Sequence, residues 1–203
     1  MNFKFLIYYY VRRISSYLLI KFFGLHNLGN IKSTVTKREI LKSIIVNYSI
    51  ETVVETGTYL GDTTRFLSQY VKKVYSIEIG SQLALMASRR FKRSPDIEII
   101  LGDSGELLEE LLLKINGNAL FFLDGHFSEG ITSTSLSYET PLIRELLVLS
   151  KSRNLQRSII VIDDAHELSN GADYPSENEI KSIFKENRTN VLKVHNLLIL
   201  NFI

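Results

Sequence analysis

From Thr52 onward the chain alternates short apolar runs with stretches of helical periodicity. The runs cover residues 52–55, 74–79, 97–101, 119–124 and 158–163. They are nearly continuous in Val, Ile, Leu and Phe rather than alternating with polar residues, which is the pattern of parallel strands covered on both faces. Between them, residues 63–71, 81–91, 106–114 and 141–151 are each long enough for a helix. Strand, helix, strand repeated in this way predicts an α/β protein with a mostly parallel, doubly wound sheet and right-handed crossovers. Ahead of the first strand, Ile40, Leu41, Ile44, Ile45 and Tyr48 recur at helical spacing and predict a helix over 36–48. Thr140 before Pro141 and Ser176 three residues before Glu179 read as helix starts, the second as a capping box. Residues 191–195 and 197–202 are apolar runs separated only by Asn196. That gap is too short for a helical crossover, so the pair should form an antiparallel hairpin at the end of the chain.

The first 30 residues differ in character. Phe3, Leu6, Ile7, Tyr10, Val11, Ile14, Tyr17 and Leu18 share one arc of a helical wheel, with Arg12, Arg13, Ser15 and Ser16 on the other. Lys4, Arg12, Arg13 and Lys21 interrupt the apolar stretch before it nears the roughly 20 residues of a membrane span. A secretory signal would need one uninterrupted apolar region and a small-residue cleavage site, and neither is visible. The glycines and asparagines of 24–30 read as a linker. One α/β domain over 31–203 is therefore expected, with a basic, aromatic, amphipathic arm over 1–30 attached to it. The arm suits either the headgroup layer of a membrane, through residues 3–22, or packing on the body or on a second copy of the chain as a homo-oligomer.

Charge sharpens that division. Up to Arg38 there are seven basic residues and no acidic one, which leaves 17 basic against 22 acidic residues from Glu39 onward, a net of −5 for the body. An acidic body argues against nucleic acid as a partner, whereas the arm can meet an anionic surface. The whole chain, with 203 residues, 45% hydrophobic and 23% charged, lies close to the average for a globular protein. The absence of cysteine removes thiol nucleophiles and thiolate metal sites from consideration.

In a doubly wound sheet the ligand sits beyond the carboxyl ends of the strands. The first run ends Glu55-Thr56-Gly57-Thr58-Tyr59-Leu60-Gly61, and the second ends at Glu78, 21 residues after Gly57. Glycines at a first turn permit close backbone approach, and an acidic side chain about 20 residues on can accept from ribose hydroxyls. A ligand containing adenosine follows. With Tyr59 two positions after Gly57, a dinucleotide fingerprint is not met.

The pattern Glu55-x-Gly57-x-x-x-Gly61 resembles the first motif of class I S-adenosylmethionine-dependent methyltransferases, usually Asp/Glu-x-Gly-x-Gly-x-Gly. Glu78 and Gly102-Asp103-Ser104 also fall where that family binds its cofactor. The resemblance implies a Rossmann-like methyltransferase fold of seven strands whose last, antiparallel strand inserts into the sheet. It further implies that Glu78 holds the ribose and that Asp103 and Ser104 lie near the adenine. Gly57, Thr58, Tyr59 and Gly61 would line the methionine side, with Glu55 near its ammonium. Tyr59 replaces the family's middle glycine. Thr63 and Thr64 either reach the methionine carboxylate or cap the next helix.

The fourth and fifth runs end Asp124-Gly125-His126 and Asp163-Asp164-Ala165-His166. Neighbouring parallel strands would bring three carboxylates to one rim, where they repel unless they share a cation; a hard ion such as Mg²⁺ is the natural occupant, the alternative being that they serve as helix caps and backbone acceptors. This arrangement is similar to that of metal-dependent O-methyltransferases acting on catechols and macrolide sugars. That similarity implies Asp124, Asp163 and Asp164 as Mg²⁺ ligands that activate an acceptor hydroxyl. His126 is the candidate general base, with Asp124 beside it in the catalytic set, and His166 is its competitor. The polar segments 127–139 and 167–175 at the same edge suit a hydroxylated acceptor such as a sugar or glycan precursor. The expected function is Mg²⁺-assisted O-methylation from S-adenosylmethionine by a cytoplasmic enzyme, peripheral at the membrane if the arm binds lipid. The rivals are a metal-dependent hydrolase or sugar-modifying enzyme using the Asp cluster, and a non-catalytic module that retains the cofactor pocket.

Overall fold

A computed structural model describes residues 28–125, 141–168 and 174–202. The elements are helix α1 (Leu28–Asn47), β1 (Thr52–Thr56), α2 (Asp62–Leu67), β2 (Lys73–Glu78), α3 (Ser81–Arg90), β3 (Ile97–Leu101), α4 (Ser104–Lys114), β4 (Ala119–Leu123), α5 (Leu142–Ser150), a short 3₁₀ turn (Leu155–Arg157), β5 (Ser158–Ile162), α6 (Glu177–Ile183), β6 (Thr189–Val194) and β7 (Leu197–Phe202). The chain divides into two compact units, Met1–Ile40 and Leu41–Ile203. In the first, the described residues 28–40 are helical. No described helix is long and apolar enough to cross a membrane.

The second unit is built on one seven-stranded sheet in the order β3-β2-β1-β4-β5-β7-β6. Strands β1 to β5 run parallel, and β7 is antiparallel to both β5 and β6, so the terminal hairpin inserts its last strand into the sheet. Every residue of β1, β4 and β5 is buried, which accounts for their continuous apolar sequence. On one face of the sheet, Val54, Ile77, Phe121, Leu123, Ile160 and Ile162 pack with Leu108 and Leu111 of α4, Leu142, Leu146 and Leu149 of α5, and Ile180 of α6.

The strand order reverses between β1 and β4, because β2 and β3 build outward on one side of β1 and β4 begins the other. This reversal opens a crevice at the carboxyl ends of the strands. The register makes those ends level: Thr56 pairs with Ile77 and with Leu123, and Leu123 with Ile162. The ladder then continues one step. Gly57 N donates to Ile77 O (2.9 Å), Asp124 N to Thr56 O (3.0 Å), Asp163 N to Leu123 O (3.0 Å) and Gly102 N to Glu78 O (3.0 Å).

Helix ends depart from the sequence expectation in three places. Helix α1 already runs at Leu28, so its first turn takes in Gly29 and Asn30, which were expected to be linker; residues 24–27 lie outside the described residues. Helix α2 stops at Leu67 rather than 71, and the chain turns into β2 through 68–72. Helix α5 is entered through Pro141 in helical conformation (φ −66°), while Thr140 lies outside the described residues. The capping box at α6 forms as expected, Ser176 Oγ accepting from Glu179 N and Ser176 N donating to the Glu179 carboxylate.

Candidate active site

The turn after β1 is shaped by packing on two sides. Gly57 has φ +88°, and a Cβ there would come within 2.5 Å of the Asp124 carbonyl oxygen. The glycine therefore lets β1 and β4 remain paired as they diverge around the crevice. Gly61, at φ +76°, would drive a Cβ to 2.6 Å from the Phe91 ring. Arg90 bonds Asp62 (2.7 Å) and the Leu60 carbonyl, so the end of α3 grips the whole loop. Between the two glycines Tyr59 adopts φ +49°, a left-handed conformation that costs a non-glycine residue about 1 kcal/mol or more. A tyrosine thus holds a backbone conformation that glycine adopts without steric cost.

Beneath the loop lies a buried hydroxyl–carboxylate network. Glu55 is 1% exposed, and its Oε2 accepts from Thr64 Oγ1 (2.5 Å) and Ser76 Oγ (2.6 Å). Thr58 Oγ1 and Ser76 Oγ share a further bond of 2.7 Å. Thr64 thus reaches inward from α2 rather than capping it; Gly61 is the N-cap and supplies no side-chain bond. Thr63 follows Asp62 in the first turn of α2 without capping the helix. Ser76 was not among the residues expected here, although a hydroxyl in the middle of a buried strand is itself a signal of a polar partner.

Glu78 closes the loop from the β2 side. One carboxylate oxygen accepts from Tyr59 N and the other from Gly80 N, both at 2.8 Å, and the residue is 6% exposed. Each oxygen retains a second lone pair, so the carboxylate fits the two hydroxyls of a ribose while staying anchored to backbone. One strand further out, Asp103 caps α4 by accepting from Gly105 N (2.8 Å), and its other oxygen meets Arg144 of α5 at 3.0 Å. Ser104 donates to the buried Glu145 of α5. Burial raises the Glu145 carboxyl to a pKa of about 7, opposed by the Ser104 and Thr56 hydroxyls and by Arg144, and reinforced by Asp103.

On the other side of the switch point Asp124, Asp163 and Asp164 come together. One oxygen from each lies within 4.8 Å of the others, and Asp163 is 1% exposed. Asp163 Oδ1 accepts from Asp164 N at 2.9 Å. Asp164 has φ +48° and is held by Asn196 of the β6–β7 turn, whose Nδ2 donates to Asp164 Oδ1 at 2.7 Å. The same Asn196 presents Oδ1 to His166 N (3.1 Å) and His166 Nδ1 (2.7 Å), while His166 Nε2 faces Glu167 at 2.9 Å. Both ring nitrogens of His166 are therefore occupied by acceptors. His126 lies outside the described residues. Three carboxylate oxygens at this spacing are a hard, all-oxygen donor set that fits one divalent cation with water completing its shell.

No family model matches the chain, and no curated protein matches it in sequence. Solved structures do match in fold. The methyltransferase PaMTH1 of Podospora anserina, solved with S-adenosylhomocysteine (SAH), shares 14% identity at a TM-score of 0.56, over 82% of this chain and 78% of its own. The O-methyltransferase TomG of Streptomyces achromogenes, involved in tomaymycin synthesis and solved with S-adenosylmethionine, shares 14% identity at a TM-score of 0.54, over 81% and 78%. An rRNA methylase of Streptococcus thermophilus shares 18% identity at a TM-score of 0.52, over 81% and 96%. The chain thus has the class I S-adenosylmethionine-dependent methyltransferase fold. Its neighbours act on different acceptors, so the choice of acceptor rests on the site itself.

Proposed function

We propose that the chain transfers a methyl group from S-adenosylmethionine to a hydroxyl of a small molecule, a sugar or glycan precursor, with Mg²⁺ assistance. The observation that carries this reading is the placement of two acidic sites at one sheet edge: Glu78 on β2, and Asp124, Asp163 and Asp164 beyond β4 and β5, with the β1 turn between them. Bound S-adenosylmethionine supplies an electrophilic methyl, and bound Mg²⁺ supplies a Lewis acid that favours the acceptor's alkoxide.

The residues divide the remaining work. Glu78 accepts the ribose hydroxyls, and Asp103 and Ser104 border the adenine. Gly57, Thr58, Tyr59 and Gly61 form the turn under the methionine part, held from below by Glu55 through Thr64 and Ser76. Asp124, Asp163 and Asp164 would hold the cation, whose chemistry at the acceptor is that of a Lewis acid. His126, the candidate general base, would take the acceptor hydroxyl's proton. His166 is better suited to holding Asn196, and through it Asp164, because both its nitrogens already face acceptors. The polar residues of 127–139 and 167–175 favour a hydroxylated acceptor.

The test is transfer of labelled methyl from S-adenosylmethionine to a panel of sugars, nucleotide sugars and catechols, with Mg²⁺ and with EDTA. The reading expects transfer to a hydroxyl that EDTA abolishes and that Asp124→Asn lowers at least about a hundredfold. Transfer to nitrogen, or transfer indifferent to EDTA, would overturn the metal-assisted hydroxyl assignment.

A further inference from the structure

Two consecutive residues, Asp163 and Asp164, both reach the acidic rim. In extended backbone successive side chains point to opposite faces, so the second must leave that conformation to join the first. Asp164 does so with φ +48°, and Glu167 N closes the resulting turn on Asp164 O at 2.8 Å. The contacts that hold this turn come from the far end of the chain. Val194 pairs with Leu197, so β6 and β7 are joined by two residues, His195 and Asn196. Asn196 directs three polar atoms at residues 164–166: its backbone O accepts from Ala165 N (2.9 Å), its Oδ1 accepts from His166 N (3.1 Å), and its Nδ2 donates to Asp164 Oδ1 (2.7 Å). A backbone N–H can only donate, so the amide oxygen must face His166 and the amide nitrogen must face Asp164.

We propose that Asn196 is a positioning residue for the divalent-cation site, acting through Asp164, and that the β6–β7 turn is thereby part of that site. This rests on the Mg²⁺ reading given above. Asp163 is 1% exposed and accepts from Asp164 N, so its orientation is set at the end of β5 itself. Asp164 is only partly buried, and Asn196 Nδ2 is the donor that steadies its carboxylate. Without that donor the carboxylate gains rotamers that point away from the rim, and ordering it again opposes cation binding. His166 braces the amide from the other side, its Nδ1 lying 2.7 Å from the same Oδ1.

The experiment is titration of Mn²⁺ into the metal-stripped full chain, with free Mn²⁺ read by electron paramagnetic resonance, for wild type, D163N, N196A and H195G. Circular dichroism confirms that each is folded. A glycine at 195 alters the same turn and takes its positive φ (+53°) without strain, while the Asn196 side chain stays in place. Wild type and H195G are expected to bind Mn²⁺ alike, N196A at least about tenfold more weakly, and D163N not measurably. N196A affinity within about threefold of wild type overturns the proposal alone, and so does an H195G loss as large as that of N196A, which would make the effect one of turn disruption. Wild type that binds no Mn²⁺, or D163N that binds it as wild type does, overturns the cation reading and this proposal with it. Should N196A fail to fold, N196D decides in its place. It keeps an acceptor for His166 N but presents Asp164 with an oxygen instead of an N–H. Its added charge alone would tighten cation binding, so weaker binding supports the positioning role, and affinity equal to or above that of wild type overturns it.

Discussion

Replacing Glu145 by glutamine should change how stability depends on pH, with no ligand involved. Burial moves the carboxyl from 4.5 to about 7 in the folded state. A raised pKa means that the folded chain holds a proton which the unfolded chain has lost between those values, so stability declines as pH rises through the interval. At about 1.4 kcal/mol per unit, a shift of about 2.5 units amounts to about 3 kcal/mol, fully felt once pH exceeds about 7 and absent below about 4.5. Glutamine has nothing to ionise. Urea unfolding of both proteins followed by circular dichroism, at several pH values from about 5 to about 8, should show E145Q gaining on wild type by about 2 to 3 kcal/mol across the range. Every other titrating group is common to the two proteins and cancels in the difference. Parallel stability profiles would refute the reasoning and mean that Glu145 is solvated or neutralised in a way the Ser104 and Arg144 contacts do not provide.

Other consequences follow from the turn, the acidic rim and the arm. Gly57→Ala combines a left-handed φ with a Cβ 2.5 Å from the Asp124 carbonyl and should cost about 2 kcal/mol or more in urea unfolding; a loss below about 0.5 kcal/mol would mean that β1 and β4 separate freely there. Millimolar Mg²⁺ or Mn²⁺ should raise the melting temperature of wild type but not of Asp163→Asn, and a shift retained in the variant would remove Asp163 from the ligand set. Without metal, Asp163→Asn should be no less stable than wild type despite its burial, because it relieves repulsion among three carboxylates; a lower melting temperature would give the Asp163 charge a structural role. If the arm meets membrane, R12E/R13E should reduce sedimentation with anionic vesicles several-fold, whereas equal sedimentation would assign the arm to protein contacts.

Much of this architecture is legible in local pattern, and the reason is physical. Central parallel strands are buried on both faces, so their residues must be apolar throughout, and β1, β4 and β5 stand out as runs of Val, Ile, Leu and Phe. The convergence of Asp124, Asp163 and Asp164 follows as well, since adjacent parallel strands in register end at one level. Bonds between side chains far apart in sequence are not written into any period. Ser76 meets Glu55 across 21 residues and Glu145 meets Ser104 across 41, and neither pairing could be named without the fold. Their presence was nonetheless detectable. A serine inside β2 and a glutamate on the apolar stripe of α5 each break the local rule, and a buried polar group that breaks the rule requires a partner. Gly57 and Gly61 likewise answer to contacts that no local pattern shows, since an added Cβ would meet Asp124 and Phe91 of the protein itself.

The central claim is that the crevice at the β1–β4 switch point holds S-adenosylmethionine with Glu78 on its ribose. Titrating S-adenosylmethionine and SAH into wild type and Glu78→Ala tests it most directly. Saturable micromolar binding by wild type, weakened at least about tenfold by the substitution, is the predicted result. Folded wild type that binds neither compound, or Glu78→Ala that is folded and binds as tightly as wild type, would contradict it.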